Sequence, residues 1–78
     1  MSKLENKIRE MGFNTISYEY GYFEIENTPY SVSVENDDRY YIVKHLPSKY
    51  SGFTHSYYSF DEAVELIGEA NGGTNGQV

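Results

Sequence analysis

Residues 14–46 read NTISYEYGYFEIENTPYSVSVENDDRYYIVKHL, and this stretch decides the fold. It is rich in Tyr, Val, Ile and Thr, residues that suit a pleated and half-buried surface. Ile16, Tyr18 and Tyr20 alternate with Ser17 and Glu19, while Phe23 and Ile25 alternate with Glu24 and Glu26. Tyr30, Val32 and Val34 alternate with Ser31, Ser33 and Glu35. A period of two with one apolar and one polar set is the pattern of antiparallel strands with one face on a core and one in water. Asn27-Thr28-Pro29 predicts a turn between the second and third strands, and Asn36-Asp37-Asp38 predicts another before a fourth strand from Arg39 to His45. Gly21 fits either a turn or a bulge in one long bent strand.

Helices flank this β segment. Ser2 and Glu5 have the spacing of a capping box, and Leu4, Ile8 and Met11 follow on one helical face. Gly12 stands where that helix stops, with Phe13 placed to fold back onto its apolar face. After the loop segment Leu46–Gly52, residues Phe53–Tyr58 predict a short last strand. The run SFDEAVELIGEA, 59–70, predicts a second helix. Ser59 and Glu62 form its capping box, and Phe60, Val64 and Ile67 line its apolar face. The expected fold is α+β: a four- or five-stranded antiparallel sheet, order α-β-β-β-β-(β)-α, with both helices on one sheet face. Residues 1–71 are expected to form one small domain, and residues 72–78 a flexible Gly/Asn-rich tail.

At 78 residues the core is small, and 17% aromatic content, including nine Tyr, supplies its bulk. There is no cysteine, which removes disulfides and thiolate metal sites and fits a reducing, cytoplasmic setting. The first residues, MSKLENKIREM, alternate charged and apolar positions and do not read as a signal peptide; no run is long and apolar enough for a membrane span.

Charge falls in blocks. Residues 10–38 hold seven acids and no Lys or Arg; residues 39–60 hold Arg39, Lys44 and Lys49 and no acid; residues 61–78 hold four acids and no base. The net charge is −6. Glu24 and Glu26, two apart on a strand, leave the same face about 6.6 Å from each other, and Glu19 and Glu35 are expected to face the same way. Carboxylates in such rows loosely imitate backbone phosphates, repel nucleic acid and attract a protein groove built to hold it. Equally, a charged strand face can simply keep an aromatic-rich protein in solution.

The 39–59 stretch has the opposite character. Its rings and cations, with Arg39, Tyr41, Lys49 and Tyr50 as the contact candidates, match the ingredients of single-strand nucleic-acid binding. Tyr beside Arg also suits a protein interface. Alternation predicts that one residue of each pair Tyr40/Tyr41 and Tyr57/Tyr58 is core and the other exposed.

His45 and His55 approach only if the fourth and last strands adjoin, and read as surface or edge histidines. Asp37-Asp38 reads as a hairpin turn before it reads as a metal site. No nucleophile elbow, phosphate loop or dinucleotide fingerprint is present, so no catalytic residue, metal or cofactor is expected.

A cysteine-free, acidic, Tyr-rich α/β chain of this length resembles the small proteins that phages and other mobile elements make against host defences, of the anti-CRISPR and anti-restriction type. The resemblance is in size and composition over residues 1–71. It implies an inhibitor that occupies a groove of a nucleic-acid-handling host protein. The partner-binding residues would then be Glu19, Glu24, Glu26 and Glu35 with the turn acids Asp37 and Asp38. The modest charge and the basic 39–60 segment favour a local acidic patch combined with Tyr contacts over whole-surface mimicry. A small nucleic-acid-binding or regulatory module using the 39–59 stretch is the alternative, and self-association through an exposed sheet edge is a third.

Overall fold

A computed structural model describes residues 2–36, 38–45 and 52–75, with Phe53 and residues 71–75 described as backbone only. Asp37 and residues 46–51, with Lys49 and Tyr50, lie outside the described residues.

Helix α1 (Lys3–Glu10) leads into strands β1 (Thr15–Ser17), β2 (Tyr22–Ile25), β3 (Tyr30–Asn36), β4 (Arg39–His45) and β5 (Phe53–Tyr58), and helix α2 (Phe60–Asn75) closes the order. The sheet is a meander of five antiparallel strands in sequence order. Both helices cover one face, as the alternation and the two amphipathic ends predict. Phe23, Ile25, Val32, Tyr40 and Ile42 from that face pack with Leu4 and Ile8 of α1 and Ala63 and Ile67 of α2, all at most 2% exposed.

Both helix starts follow from their caps. The Ser2 hydroxyl accepts the Glu5 amide at 3.1 Å. At α2 the box is complete: the Ser59 amide donates to Glu62 Oε1 at 2.9 Å, and the Glu62 amide donates to the Ser59 hydroxyl at 3.3 Å. The Ser59 amide first, and then the Ser59 hydroxyl, hold the Glu62 carboxyl below its ordinary range.

The first box is half made, because the Glu5 carboxylate is used elsewhere. Glu5 is 4% exposed, and its Oε2 accepts from Thr15 Oγ1 at 2.7 Å and from the Ser17 hydroxyl. Arg9 Nε in turn donates to Thr15 Oγ1 at 2.8 Å. A buried carboxylate costs several kcal/mol unless its oxygens are satisfied. Satisfying this one turns Thr15 and Ser17 toward the helices. That reverses the expected phase of the first strand. Ile16, Tyr18 and Tyr20, expected inward, are 41%, 51% and 95% exposed.

Gly21 resolves as a turn. Tyr20 and Gly21 both take positive φ, 60° and 75°, in the three-residue link Glu19–Gly21 of a tight hairpin, closed by the Tyr18 amide donating to the Tyr22 carbonyl at 2.7 Å. A Cβ on Gly21 would stand 3.3 Å from Val34 Cβ, so backbone angle and space both select glycine.

Candidate functional site: the uncovered sheet face

Because both helices lie on one side, the other face of the sheet is bare among the described residues. The strand registers fix what it carries. Tyr22 pairs with Ser33, Ser33 with Tyr41, and Tyr41 with Tyr57. With Tyr18 beside Tyr22, this makes a row of four tyrosines across the sheet with one serine at its centre. The next row is Ile16, Glu24, Ser31, Val43 and His55, paired in that order.

The rings touch in two groups. Tyr18 and Tyr22 have centroids 5.3 Å apart on the β1–β2 side. On the β4–β5 side the Tyr41 ring lies 5.0 Å from Tyr57 and 5.3 Å from His55, and the Arg39 guanidinium sits 4.0 Å above the Tyr57 ring. Tilted ring pairs at these distances and a cation over a ring face are favourable arrangements that hold side chains in place at a surface. Tyr41 is half-buried and Tyr57 is 48% exposed, while their neighbours Tyr40 and Tyr58 turn to the core, so each pair splits as the alternation predicts and the structure shows which member is inward.

Glu24 is fastened to the first group. The Tyr18 hydroxyl donates to Glu24 Oε1 at 2.9 Å, and the Tyr22 hydroxyl approaches Oε2 at 3.5 Å. The bond to Glu24, then burial and the nearby charge, raise the Tyr18 phenol above its ordinary pKa, so the donor proton is retained. Glu24 and Glu26 line one hollow of about 260 Å³ together with Ile16, Ser31, His45 and the Asn27–Pro29 turn.

The rest of the expected acidic row is not assembled. Glu19 belongs to the hairpin link and not to a strand. Glu35 stands where the β3–β4 pairing slips between Val34 and Asn36, and Asp38 sits in the following turn with its amide donating to Asn36 Oδ1 at 3.0 Å. Glu19, Glu35 and Asp38 are thus off the strand ladder, whereas Glu26 closes the other end of β2, where its amide donates to the Asn14 carbonyl at 2.9 Å. The four glutamates share no common row. Two of them, Glu24 and Glu26, share a hollow.

Of the alternative contact residues, Arg39 and Tyr41 are brought together through Tyr57. The alternation of the sequence does not by itself put Tyr18 and Tyr22 in one row with Tyr41 and Tyr57. Counting residues outward from the two turns would align Tyr22, Ser33 and Tyr41, and counting across the third connection, between β4 and β5, adds Tyr57.

β4 and β5 do adjoin, so His45 and His55 share a face. His55 pairs with Val43 and His45 with Phe53. His45 Nε2 lies 3.2 Å from Ser31 Oγ, the residue types of a nucleophile and its base. Ser31 is 3% exposed and lies within a regular strand rather than on a nucleophile elbow, and the pair borders the same hollow as Glu24 and Glu26. Among the described residues no group of three His, Asp or Glu side chains is placed to hold a metal ion, and no helix is long and apolar enough to cross a membrane.

Comparison with protein-family models, with curated proteins and with solved structures returns no match for this chain.

Proposed function

We propose that the chain is a non-enzymatic protein-binding module that meets a basic surface of its partner with the uncovered sheet face. The observation that carries this reading is the row Tyr18, Tyr22, Tyr41 and Tyr57 on that face, beside the hollow that holds Glu24 and Glu26. The wet face of an antiparallel sheet is ordinarily polar. Here it carries rings in two touching groups, and aromatic side chains are enriched where proteins meet. Tyrosine and arginine are the side chains that most often anchor a protein interface. The net charge of −6 and the carboxylates at the hollow select a partner of opposite sign. A role that fits is occupation of a basic nucleic-acid-binding groove on a host protein, as the resemblance to phage-encoded inhibitors implies.

The test is capture from a nuclease-treated bacterial lysate by the wild-type chain and by the Glu24→Lys/Glu26→Lys variant side by side, read by mass spectrometry. The wild type is expected to retain a nucleic-acid-handling protein and the variant to retain about tenfold less or none. Equal retention by both would remove the face from the account.

A second reading has one observation in its favour. Arg39 over Tyr57 on a sheet face of exposed rings is also the arrangement on which single-stranded bases stack. The acidic balance of the chain opposes it. A catch that disappears on nuclease treatment, with direct binding to oligonucleotides that falls steeply with salt, would put this reading first.

A further inference from the structure

The two edges of the sheet are built differently. The β1 edge is three residues long, and the Thr15 carbonyl there is taken by Arg9 Nη2 at 3.3 Å. A short strand with an occupied carbonyl is a blunted edge. The β5 edge is six residues long, FTHSYY, with no Lys, Arg, Asp, Glu or Pro in it. Residues 54–57 are exposed, and among the described residues no strand lies beyond β5. In an antiparallel pair roughly half of a strand's amides and carbonyls point to its neighbour, so the other half of those on β5 point outward. None of the usual devices that protect an edge is present on the strand itself.

The surroundings of this edge say what would be added to it. By register with Tyr40 and Ile42, Tyr58 and Ser56 turn to the helix side. There α2 packs against β4 and β5, and a shallow, open hollow of about 270 Å³ is lined by Tyr58 and Leu66 and by Glu62, Glu65 and Glu69. A strand laid against β5 would therefore send alternate side chains into a trough with an apolar floor and an acidic wall.

We propose that β5 is a docking edge for an extended segment of a partner protein with Lys or Arg at alternate positions. This deepens the functional reading above and rests on it for the basic character of the partner. Main-chain hydrogen bonds to β5 supply affinity, and the side-chain alternation supplies selectivity. Long cationic side chains suit the trough, because their stems cover Tyr58 and Leu66 while their heads reach the glutamates. A second copy of the chain suits it less. Its own β5 would offer Thr54, Ser56 and Tyr58 at those positions, and symmetric antiparallel pairing would bring two rows of α2 glutamates toward each other.

The test uses the full chain, isotope-labelled for amide hydrogen exchange, and two ten-residue peptides. One alternates Lys with Thr, and the other has Glu in place of each Lys. The Lys peptide is expected to bind and to slow exchange of the amides of residues 53–58, and the Glu peptide to do neither. Glu65→Lys/Glu69→Lys, both on the exposed side of α2, should keep the native amide spectrum and weaken the Lys peptide about tenfold. The proposal is overturned if the Lys peptide does not bind, binds without protecting residues 53–58, or is matched by the Glu peptide. It is also overturned if the chain alone self-associates with protection confined to β5, because the occupant is then a second copy. The capture experiment with Glu24 and Glu26 reads the uncovered face independently, so failure at the edge and failure of the binding-module reading are separate results.

Discussion

The two faces of the sheet are made from adjacent residues and do opposite things. On the covered face Phe23, Ile25, Val32, Tyr40 and Ile42 are at most 2% exposed. On the bare face Tyr22, Tyr41 and Tyr57, one residue away along each strand, form a ring surface that holds itself together through Tyr18, His55, Arg39 and Glu24. The covered face uses aromatic area to exclude water and stabilise the fold. The bare face leaves the same kind of side chain partly exposed, and that exposed area is what the proposed partner would cover. The difference teaches that aromatic content alone does not distinguish core from contact in so small a domain. Strand phase does.

That phase is set most sharply at β1, and among the polar and backbone contacts the largest effect is expected from breaking it there. Glu5→Ala leaves the Thr15 and Ser17 hydroxyls facing a gap where a carboxylate was, and should cost about 1–3 kcal/mol in urea denaturation. Glu5→Gln keeps an acceptor and the shape, and should cost less. Equal, negligible losses for both would mean that the buried carboxylate does not hold the strand in its phase.

The hairpin that presents Tyr18 and Tyr22 is a second place to press. Gly21→Ala places a Cβ at φ 75° and 3.3 Å from Val34 Cβ. A loss of about 1–2 kcal/mol is expected for a side chain forced into left-handed backbone beside a packed neighbour. A neutral result would show that the link can relax without disturbing the ring row.

The smallest effect belongs to the helix that covers the other face. Ser59→Ala removes one half of the α2 capping box and should cost about 1 kcal/mol. The same box carries a pH signature. The folded-state pKa of Glu62 is lowered, so the stability it contributes is present above the unfolded carboxyl value and is lost as pH falls through the folded one. Wild-type stability should therefore decline with acid below the ordinary carboxylate range. Glu62→Gln, which removes the titrating group, should flatten that part of the decline, and a superimposable acid limb in the two proteins would contradict the assignment.

Much of this was legible in the sequence. The alternation through Tyr30–Val34 and Arg39–His45, the turn residues and the two capping signals gave the meander and both helices, because each is a local preference repeated along the chain. That one of each pair Tyr40/Tyr41 and Tyr57/Tyr58 faces inward follows from the same period, whereas which one does so is set by the register of β4 and β5 against the core strands. The phase of β1 was not legible. Period two says that Ile16 and Ser17 face opposite ways, but which faces inward was decided by Glu5, ten and twelve residues away from its partners Thr15 and Ser17. The acidic row failed for a related reason. Glu19 and Glu35 keep the alternating spacing on paper, yet a tight turn takes the first out of the ladder and a register slip disturbs the second. Glu24 and Glu26 kept a common hollow because β2 is regular up to Ile25.

Tyr40 and Tyr41 offer the most direct test of the central claim, since they are consecutive and belong to opposite faces. Equilibrium denaturation of Tyr40→Ala and Tyr41→Ala should give a loss of about 3–5 kcal/mol for the first and about 1 kcal/mol for the second, with the Tyr41 variant natively folded. Comparable large losses for both would mean that the bare face is a second core and not a surface held ready for a partner.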